Sequence, residues 1–201
     1  HMLVEDYRDH DRDSFVVRRI RSRRRVGHHH DGPEEIAVEV HGGVPVYVQL
    51  RYPDYSIDWS EVKKAITPRT RMIILNTPNN PTGKVFSRDE LETIAMLCRK
   101  WDVVAISDEI YEHITYDGAT HTPIASLEGM ADRTVTINSL SKTYSVTGWR
   151  VGWTISPASL TGAIRKVHDF LTVGAAAPLQ EAGIAALSVP DSYYRELAAA
   201  Y

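Results

Sequence analysis

The stretch that decides the predicted fold is NSLSKTYSVTGWRVG, at residues 138–152. The β-branched residues 134–137 directly before it predict a short strand that ends in a polar turn. Lys142 lies in that turn between hydroxyl side chains, and Arg150 follows shortly before a second apolar segment at residues 151–155. A lysine amine can bond covalently to a carbonyl group, and hydroxyls with an arginine can bind a phosphate, so this turn is a candidate site. The alternative interpretation is a surface lysine in a loop rich in serine and threonine.

The composition is that of an ordinary globular protein. Hydrophobic residues make up 43% of the 201 residues and charged residues 24%. A formal net charge of −3 argues against nucleic acid as the main partner. No apolar segment reaches the ~20 residues of a membrane span, and we expect no signal peptide and no membrane partner. Because Cys98 is the single cysteine, no internal disulfide can form, and we expect a reducing, cytoplasmic location.

Residues 1–35 differ in composition from the rest of the chain. Eight arginines lie between Arg8 and Arg25, and three adjacent histidines follow at residues 28–30, with almost no apolar periodicity. We interpret residues 1–35 as an atypical segment that is either disordered or read in a shifted frame. Neighbouring side chains of an extended chain point to opposite sides, so we expect no metal site at the histidines or elsewhere. Nucleic-acid binding by the arginines is an alternative that the acidic balance of the chain disfavours.

Residues 36–201 show strand patterns that alternate with helix patterns. This alternation predicts an α/β fold with a mostly parallel sheet flanked by helices. The predicted strands are at residues 44–50, 72–75, 103–107, 134–137 and 151–155. The predicted helices are at residues 58–66, 87–101, 160–171 and 178–187. Ser87 with Glu90 three residues later predicts a capping box at the start of the second helix.

Polar side chains follow three of these strands. Asn80 follows the strand at residues 72–75, and Asp108 and Tyr111 follow the strand at residues 103–107. The strand at residues 134–137 is followed by Ser139, Ser141 and Lys142. In such sheets ligands bind beyond the carboxyl ends of the strands, so we expect these side chains to form one site. Taken singly, each has an ordinary alternative role as a turn former, a helix N-cap or a surface ring.

These motifs resemble those of the class I/II pyridoxal-phosphate-dependent aminotransferases of fold type I. The motifs are NTPNNPTG at residues 76–83, SDEIY at 107–111, SLSK at 139–142 and GWRVG at 148–152. The chain looks closest to the kynurenine, glutamine and methionine aminotransferases and to the bacterial aspartate aminotransferases. The resemblance covers residues 42–201, and it implies that residues 36–201 form part of the cofactor-binding large domain of such an enzyme.

The resemblance implies catalytic roles for Lys142, Asp108 and Tyr111. Lys142 would form a Schiff base with the aldehyde of pyridoxal 5'-phosphate and later carry a proton to and from the substrate. Asp108 would keep the pyridine nitrogen protonated, so that the ring can act as an electron sink. Tyr111 would hydrogen-bond the phenolic oxygen of the ring.

The resemblance also implies which residues bind the cofactor. Asn80 would share the phenolic oxygen with the tyrosine, whereas Ser139, Ser141 and Arg150 would hold the phosphate. The implied function is transfer of an amino group between an L-amino acid and a 2-oxo acid, in a cytoplasmic homodimer. Two alternatives stay open: a C–S β-lyase of the same fold, and a non-catalytic fragment, because members of this family are longer at both ends.

Overall fold

The computed structural model describes residues 15–19, 38–39 and 41–200. The prediction of an atypical segment at residues 1–35, with its shifted frame and its histidines, lies outside these residues except at residues 15–19. Those five residues form a strand, which the sequence analysis did not predict.

The described strands are β1 (Phe15–Arg19), β2 (Gly43–Tyr47), β3 (Leu50–Arg51), β4 (Ser56–Ile57), β5 (Thr70–Asn76), β6 (Val104–Asp108), β7 (Thr134–Ser139) and β8 (Gly152–Ile155). Six of them form a mixed sheet at the centre of the fold, with the strand order β2-β1-β5-β6-β7-β8, and β3 and β4 form a second, two-stranded sheet. Strands β5, β6 and β7 are parallel, as predicted, and they carry the candidate residues. β1 pairs antiparallel with both β2 and β5, and β8 pairs antiparallel with β7. The predicted α/β fold is therefore confirmed, with antiparallel strands at both sides of the parallel centre.

The helices are α1 (Trp59–Ala65), α2 (Arg88–Trp101), α3 (Ala158–Leu171), α4 (Ala177–Leu187) and α5 (Asp191–Ala200). The first four lie where the sequence predicts them, and α5 was not predicted. The capping box of α2 is confirmed, because the Ser87 hydroxyl accepts from the Glu90 backbone and the Glu90 carboxylate accepts from the Ser87 backbone. α1 is capped in a similar way by Asp58, whose carboxylate accepts the backbone N–H groups of Ser60 and Glu61.

The predicted strand at residues 44–50 is divided in the structure. β2 ends at Tyr47, and Leu50 opens β3 in the second sheet. An alternating apolar pattern fits either arrangement, because the pattern records which face is buried and not which sheet the strand joins.

The buried core lies between the sheet and helices α1 and α2. Leu91, Ala95 and Cys98 are fully buried on one face of α2, as the helical spacing predicts. They pack with buried side chains of β5 and β6 in a single cluster. In contrast, none of the described residues of α3 is buried. Among the described residues, every helix is too short or too polar to cross a bilayer.

Candidate active site

Backbone hydrogen bonds join the carboxyl ends of the three parallel strands. The Thr77 N–H donates to the carbonyl oxygen of Asp108 at 3.1 Å, which ties the turn after β5 to the end of β6. The Glu109 N–H donates to the carbonyl oxygen of Ile137 at 2.9 Å, which ties the loop after β6 to β7. The three strand ends therefore form one edge, as the sequence analysis expected.

The turn after β7 is closed by its own hydrogen bonds around Lys142. The Leu140 N–H donates to the Val151 carbonyl at 3.1 Å, and the Ser141 N–H donates to the Ser139 hydroxyl at 3.2 Å. The Val146 N–H donates to the Ser141 carbonyl at 3.1 Å. These bonds close the backbone of the turn on both sides of Lys142, at the end of the strand.

Lys142 and Tyr111 lie beside each other although they belong to different loops. The Lys142 Nζ is 5.7 Å from the centre of the Tyr111 ring, which is within the range of a cation–π contact. Both side chains are partly buried. The structure thus brings together two of the three residues expected to act in catalysis.

A cavity of about 570 Å³ opens at the turn. Its lining residues are Ile110, Ile137, Asn138, Ser139, Ser141, Lys142, Thr147, Arg150, Val151, Gly152, Trp153, Thr154, Ile164, Arg165 and His168. The volume is in the range of small-molecule sites. No carboxylate is present among these described lining residues, whereas several of them can carry a positive charge. The cavity therefore favours an anionic ligand.

Arg150 is held at the rim of this cavity in the left-handed backbone conformation, with φ of 55°. Its Nη1 donates to the Thr147 carbonyl at 3.1 Å, and the residue is exposed. A guanidinium has five N–H donors, so one such bond can orient the group while other donors face a ligand. Such an arrangement leaves the guanidinium able to pair with a phosphate.

Asn80 and Asp108 lie at the same edge of the sheet but do not line the cavity. Asn80 is exposed, and its N–H donates to the Asn76 Oδ1 at 2.7 Å in the turn after β5. The Asp108 Oδ1 accepts the Ile110 N–H at 3.3 Å. Tyr111 is also outside the lining, next to Lys142. The structure thus gathers Lys142 with the three predicted phosphate-binding residues.

Three residues that the sequence analysis did not select contribute to the cavity wall: Thr147, Arg165 and His168. The last two are three residues apart on α3, so they share one face of that helix. The spacing was visible in the sequence, but it has meaning only once α3 is known to lie against the turn.

A buried hydrogen bond between Glu109 and His121 lies in the loop that follows Asp108. The His121 Nε2 is 3.0 Å from the Glu109 Oε2, and the two side chains are 6% and 1% exposed. Glu112 lies close enough that the three side chains could hold a metal ion, and it also accepts from the Asn138 amide. We interpret the pair as a tether for the loop, because the carboxylate and the ring already share a hydrogen bond.

Fold and site together define an α/β protein whose lysine lies at the carboxyl edge of the sheet, in a cavity suited to an anion. The sequence matches the family model "Aminotransferase class I and II" over residues 35–200, and the chain belongs to that family. The resemblance inferred from the sequence motifs is thereby confirmed.

Curated relatives of this chain are transaminases. Kynurenine–oxoglutarate transaminase 1 of Rattus norvegicus is 49% identical over 139 residues, which cover 64% of this chain and 33% of that protein. Kynurenine–oxoglutarate transaminase of Dictyostelium discoideum is 41% identical over 179 residues, which cover 80% of this chain and 41% of that protein. The chain therefore spans between a third and about two fifths of the length of these relatives.

Solved structures show the same likeness. The N-succinyldiaminopimelate aminotransferase of Mycobacterium tuberculosis has a TM-score of 0.70 and 40% identity, over 73% of this chain and 38% of that one. The aspartate aminotransferase of Thermus thermophilus with maleate has a TM-score of 0.74 and 33% identity, over 83% of this chain and 43% of that one. These matches confirm the predicted fold class.

Proposed function

We propose that this chain carries the lysine and the phosphate-binding groups of a pyridoxal-phosphate-dependent aminotransferase. Such an enzyme transfers an amino group between an L-amino acid and a 2-oxo acid. The observation that carries the proposal is the position of Lys142, in one cavity with Ser139, Ser141 and Arg150, within a chain of this family.

The residues present fit pyridoxal 5'-phosphate. The cofactor has a doubly charged phosphate and an aldehyde, and the cavity offers two serine hydroxyls, a guanidinium and a primary amine. The absence of carboxylates among the described lining residues supports the same ligand, since an acidic wall would repel a phosphate. When it is bound, the cofactor supplies a protonated ring that accepts electrons from a bond broken at the substrate.

Each predicted residue has a task in this proposal. Lys142 would bond to the cofactor aldehyde and would move a proton at the substrate α-carbon. Ser139, Ser141 and Arg150 would bind the phosphate and so hold the aldehyde beside the amine. The carboxylate of Asp108 would keep the proton on the ring nitrogen.

Two further residues would act on the oxygen of the ring. Tyr111 and Asn80 would donate hydrogen bonds to it. The contact between the Tyr111 ring and Lys142 supports this assignment for Tyr111. For Asn80 the support is its place in the turn tied through Asn76 to the end of β6, where the Asn76 amide donates to the Asp108 carbonyl at 3.4 Å.

Borohydride reduction in the presence of pyridoxal phosphate tests the proposal. Peptide mapping should find the reduced pyridoxyl group on Lys142. The exposed lysines serve as internal references, and they are Lys63, Lys64, Lys100 and Lys166. Lys142→Ala should abolish the modification, and Lys166→Ala, on α3, is the matched control. Labelling that is spread over the exposed lysines, or that survives Lys142→Ala, would contradict the function and favour the alternative of a non-catalytic fragment.

We also propose that the chain works as a cytoplasmic homodimer. Support comes from the apolar side chains that α3 and α4 leave exposed, among them Phe170 at 93% and Leu171 at 78% exposure. A second copy would remove this surface from water. Light scattering should show self-association, and Phe170→Asp should reduce it, whereas a monomer at high concentration in the unsubstituted chain would count against the proposal.

A further inference from the structure

Two adjacent tyrosines of α5 contact both loops that carry the candidate catalytic residues. The Tyr193 hydroxyl donates to the carbonyl oxygen of Thr143 at 2.7 Å, on the residue that follows Lys142. The Tyr194 hydroxyl is 2.8 Å from the Tyr144 hydroxyl in the same turn. The Tyr194 ring also lies 4.3 Å from the His113 ring, centre to centre, in the loop after β6.

The three rings of Tyr144, Tyr193 and Tyr194, here called the tyrosine cluster, pack against one another. Tyr144 and Tyr193 are stacked at 5.7 Å with 14° between their planes. Tyr193 and Tyr194 meet edge to face at 5.6 Å with 88° between their planes. Both geometries are favourable for aromatic pairs. The cluster is therefore a packed contact with two hydroxyl hydrogen bonds, and the buried Leu197 anchors the same helix one turn further on.

The cluster joins the loop that carries Lys142 to the loop that carries Tyr111. The Thr143 carbonyl belongs to the peptide group directly after that of Lys142, so the Tyr193 bond restricts the backbone that carries the lysine. His113 is two residues after Tyr111, so Tyr194 restricts the other loop. The two attachments therefore hold the loops whose side chains meet at 5.7 Å, from the Lys142 Nζ to the centre of the Tyr111 ring.

We propose that Tyr193 and Tyr194 are positioning residues, which hold the Lys142 turn in a fixed place relative to the Tyr111 loop. The proposal rests on the proposed function for its catalytic meaning, whereas the restraint on Lys142 can be measured without any cofactor. Burial, together with the hydrogen bond that it shares with the Tyr194 hydroxyl, raises the pKa of the Tyr144 hydroxyl, so the bond between the two neutral tyrosines persists into the alkaline range.

The first test is competitive acetylation of the cofactor-free chain with trace acetic anhydride, read by mass spectrometry. The rate at Lys142 is compared with the rates at Lys100 and Lys166, which are exposed. Tyr193→Phe keeps the ring and removes the bond to Thr143. It should raise the relative rate at Lys142 about fivefold, the factor expected for one neutral hydrogen bond. Tyr116→Phe, at a tyrosine that is 49% exposed, is the matched control and should change nothing.

The second test uses pyridoxal phosphate and borohydride. The yield of the reduced pyridoxyl group on Lys142 should fall about fivefold in Tyr193→Phe at unchanged melting temperature. If Tyr193→Phe does not fold, Tyr194→Phe, which loses only the bond to Tyr144, replaces it in both tests. An acetylation rate at Lys142 that is the same in a folded variant and the unsubstituted chain would overturn the positioning role. If the unsubstituted chain takes no pyridoxyl group at Lys142, the proposed function fails, and the acetylation result still decides the positioning role.

Discussion

Gly152 lies directly opposite Ser139 in the antiparallel pairing of β7 and β8. A Cβ atom added to Gly152 would be 2.9 Å from the carbonyl oxygen of Asn138 and 3.2 Å from the Ser139 Cβ. The two strands approach this closely at the wall of the cavity, where Ser139 and Gly152 both contribute to the lining. Only glycine fits this position without movement of the backbone.

Gly152→Ala should therefore destabilise the chain. We expect a loss of about 1–3 kcal/mol in the free energy of unfolding, measured by urea denaturation, because the clash is with a backbone oxygen that cannot move alone. Gly162→Ala is the matched control, since a Cβ there meets no atom within 4 Å in the interior of α3. That substitution should stabilise by roughly 0.5–1 kcal/mol. Equal effects of the two substitutions would contradict the close approach.

Ser87→Ala should remove the cap of α2. The expected loss is about 1 kcal/mol, because the backbone N–H of Glu90 loses its acceptor. Ser87→Asp keeps an acceptor at the same place and should restore most of the stability. Thermal unfolding of the two variants provides the measurement, and an unchanged stability of Ser87→Ala would show that the cap contributes nothing.

The thiol of Cys98 should resist modification in the folded chain. Burial raises its pKa from 9.0 to about 12, so the neutral thiol is the form present in the fold at mildly alkaline pH. The pKa of this thiol is higher in the folded chain than in the unfolded chain. The contribution of the neutral thiol to the free energy of unfolding is therefore complete below about pH 9 and is lost as the pH rises toward 12. Reaction with a thiol-specific disulfide reagent should be slow in buffer and fast in urea. Rapid reaction in buffer would contradict the burial of Cys98.

Asp108→Asn should separate attachment of the cofactor from amino transfer. We expect borohydride to fix the pyridoxyl group on Lys142 as before, because the amide leaves the phosphate-binding residues in place. Spectra recorded after addition of an L-amino acid should show no transfer, because a neutral side chain does not keep the ring nitrogen protonated. Asp117→Asn, at an exposed loop residue, is the control. Unchanged transfer in Asp108→Asn would remove this carboxylate from the proposed mechanism.

The elements of the fold that depend on interactions between residues near in sequence could be predicted from the sequence. The capping box marks the start of α2, the apolar segments mark β5, β6 and β7, and the motif at residues 138–152 marks the lysine turn. β1 was missed, because a strand between β2 and β5 depends on long-range pairing that no local pattern records. α5 was missed as well, although its tyrosines reach the site.

In the candidate site, too, the features set by nearby residues could be predicted from the sequence, whereas those set by tertiary packing could not. Placement at strand ends correctly predicted that Asp108 and Lys142 share an edge of the sheet. It did not predict that Asp108 would be outside the cavity lining, because strand order fixes the edge and not which side chains face a given wall. Arg165 and His168 entered the lining through the packing of α3, which becomes visible only in three dimensions.

The strand order β5-β6-β7-β8 also has a consequence for the way in which the chain acquires its structure. Each of these strands lies beside its predecessor in the chain, so the ladder can grow strand by strand, although each parallel pair first has to close a long crossover segment. Pairing of this kind is typically slow, because the entropy of the loop is lost before the contacts between the strands form. The turn with Lys142 joins the last two strands of this series. We therefore expect the reactive amine to reach its final surroundings only when the growing ladder has been completed.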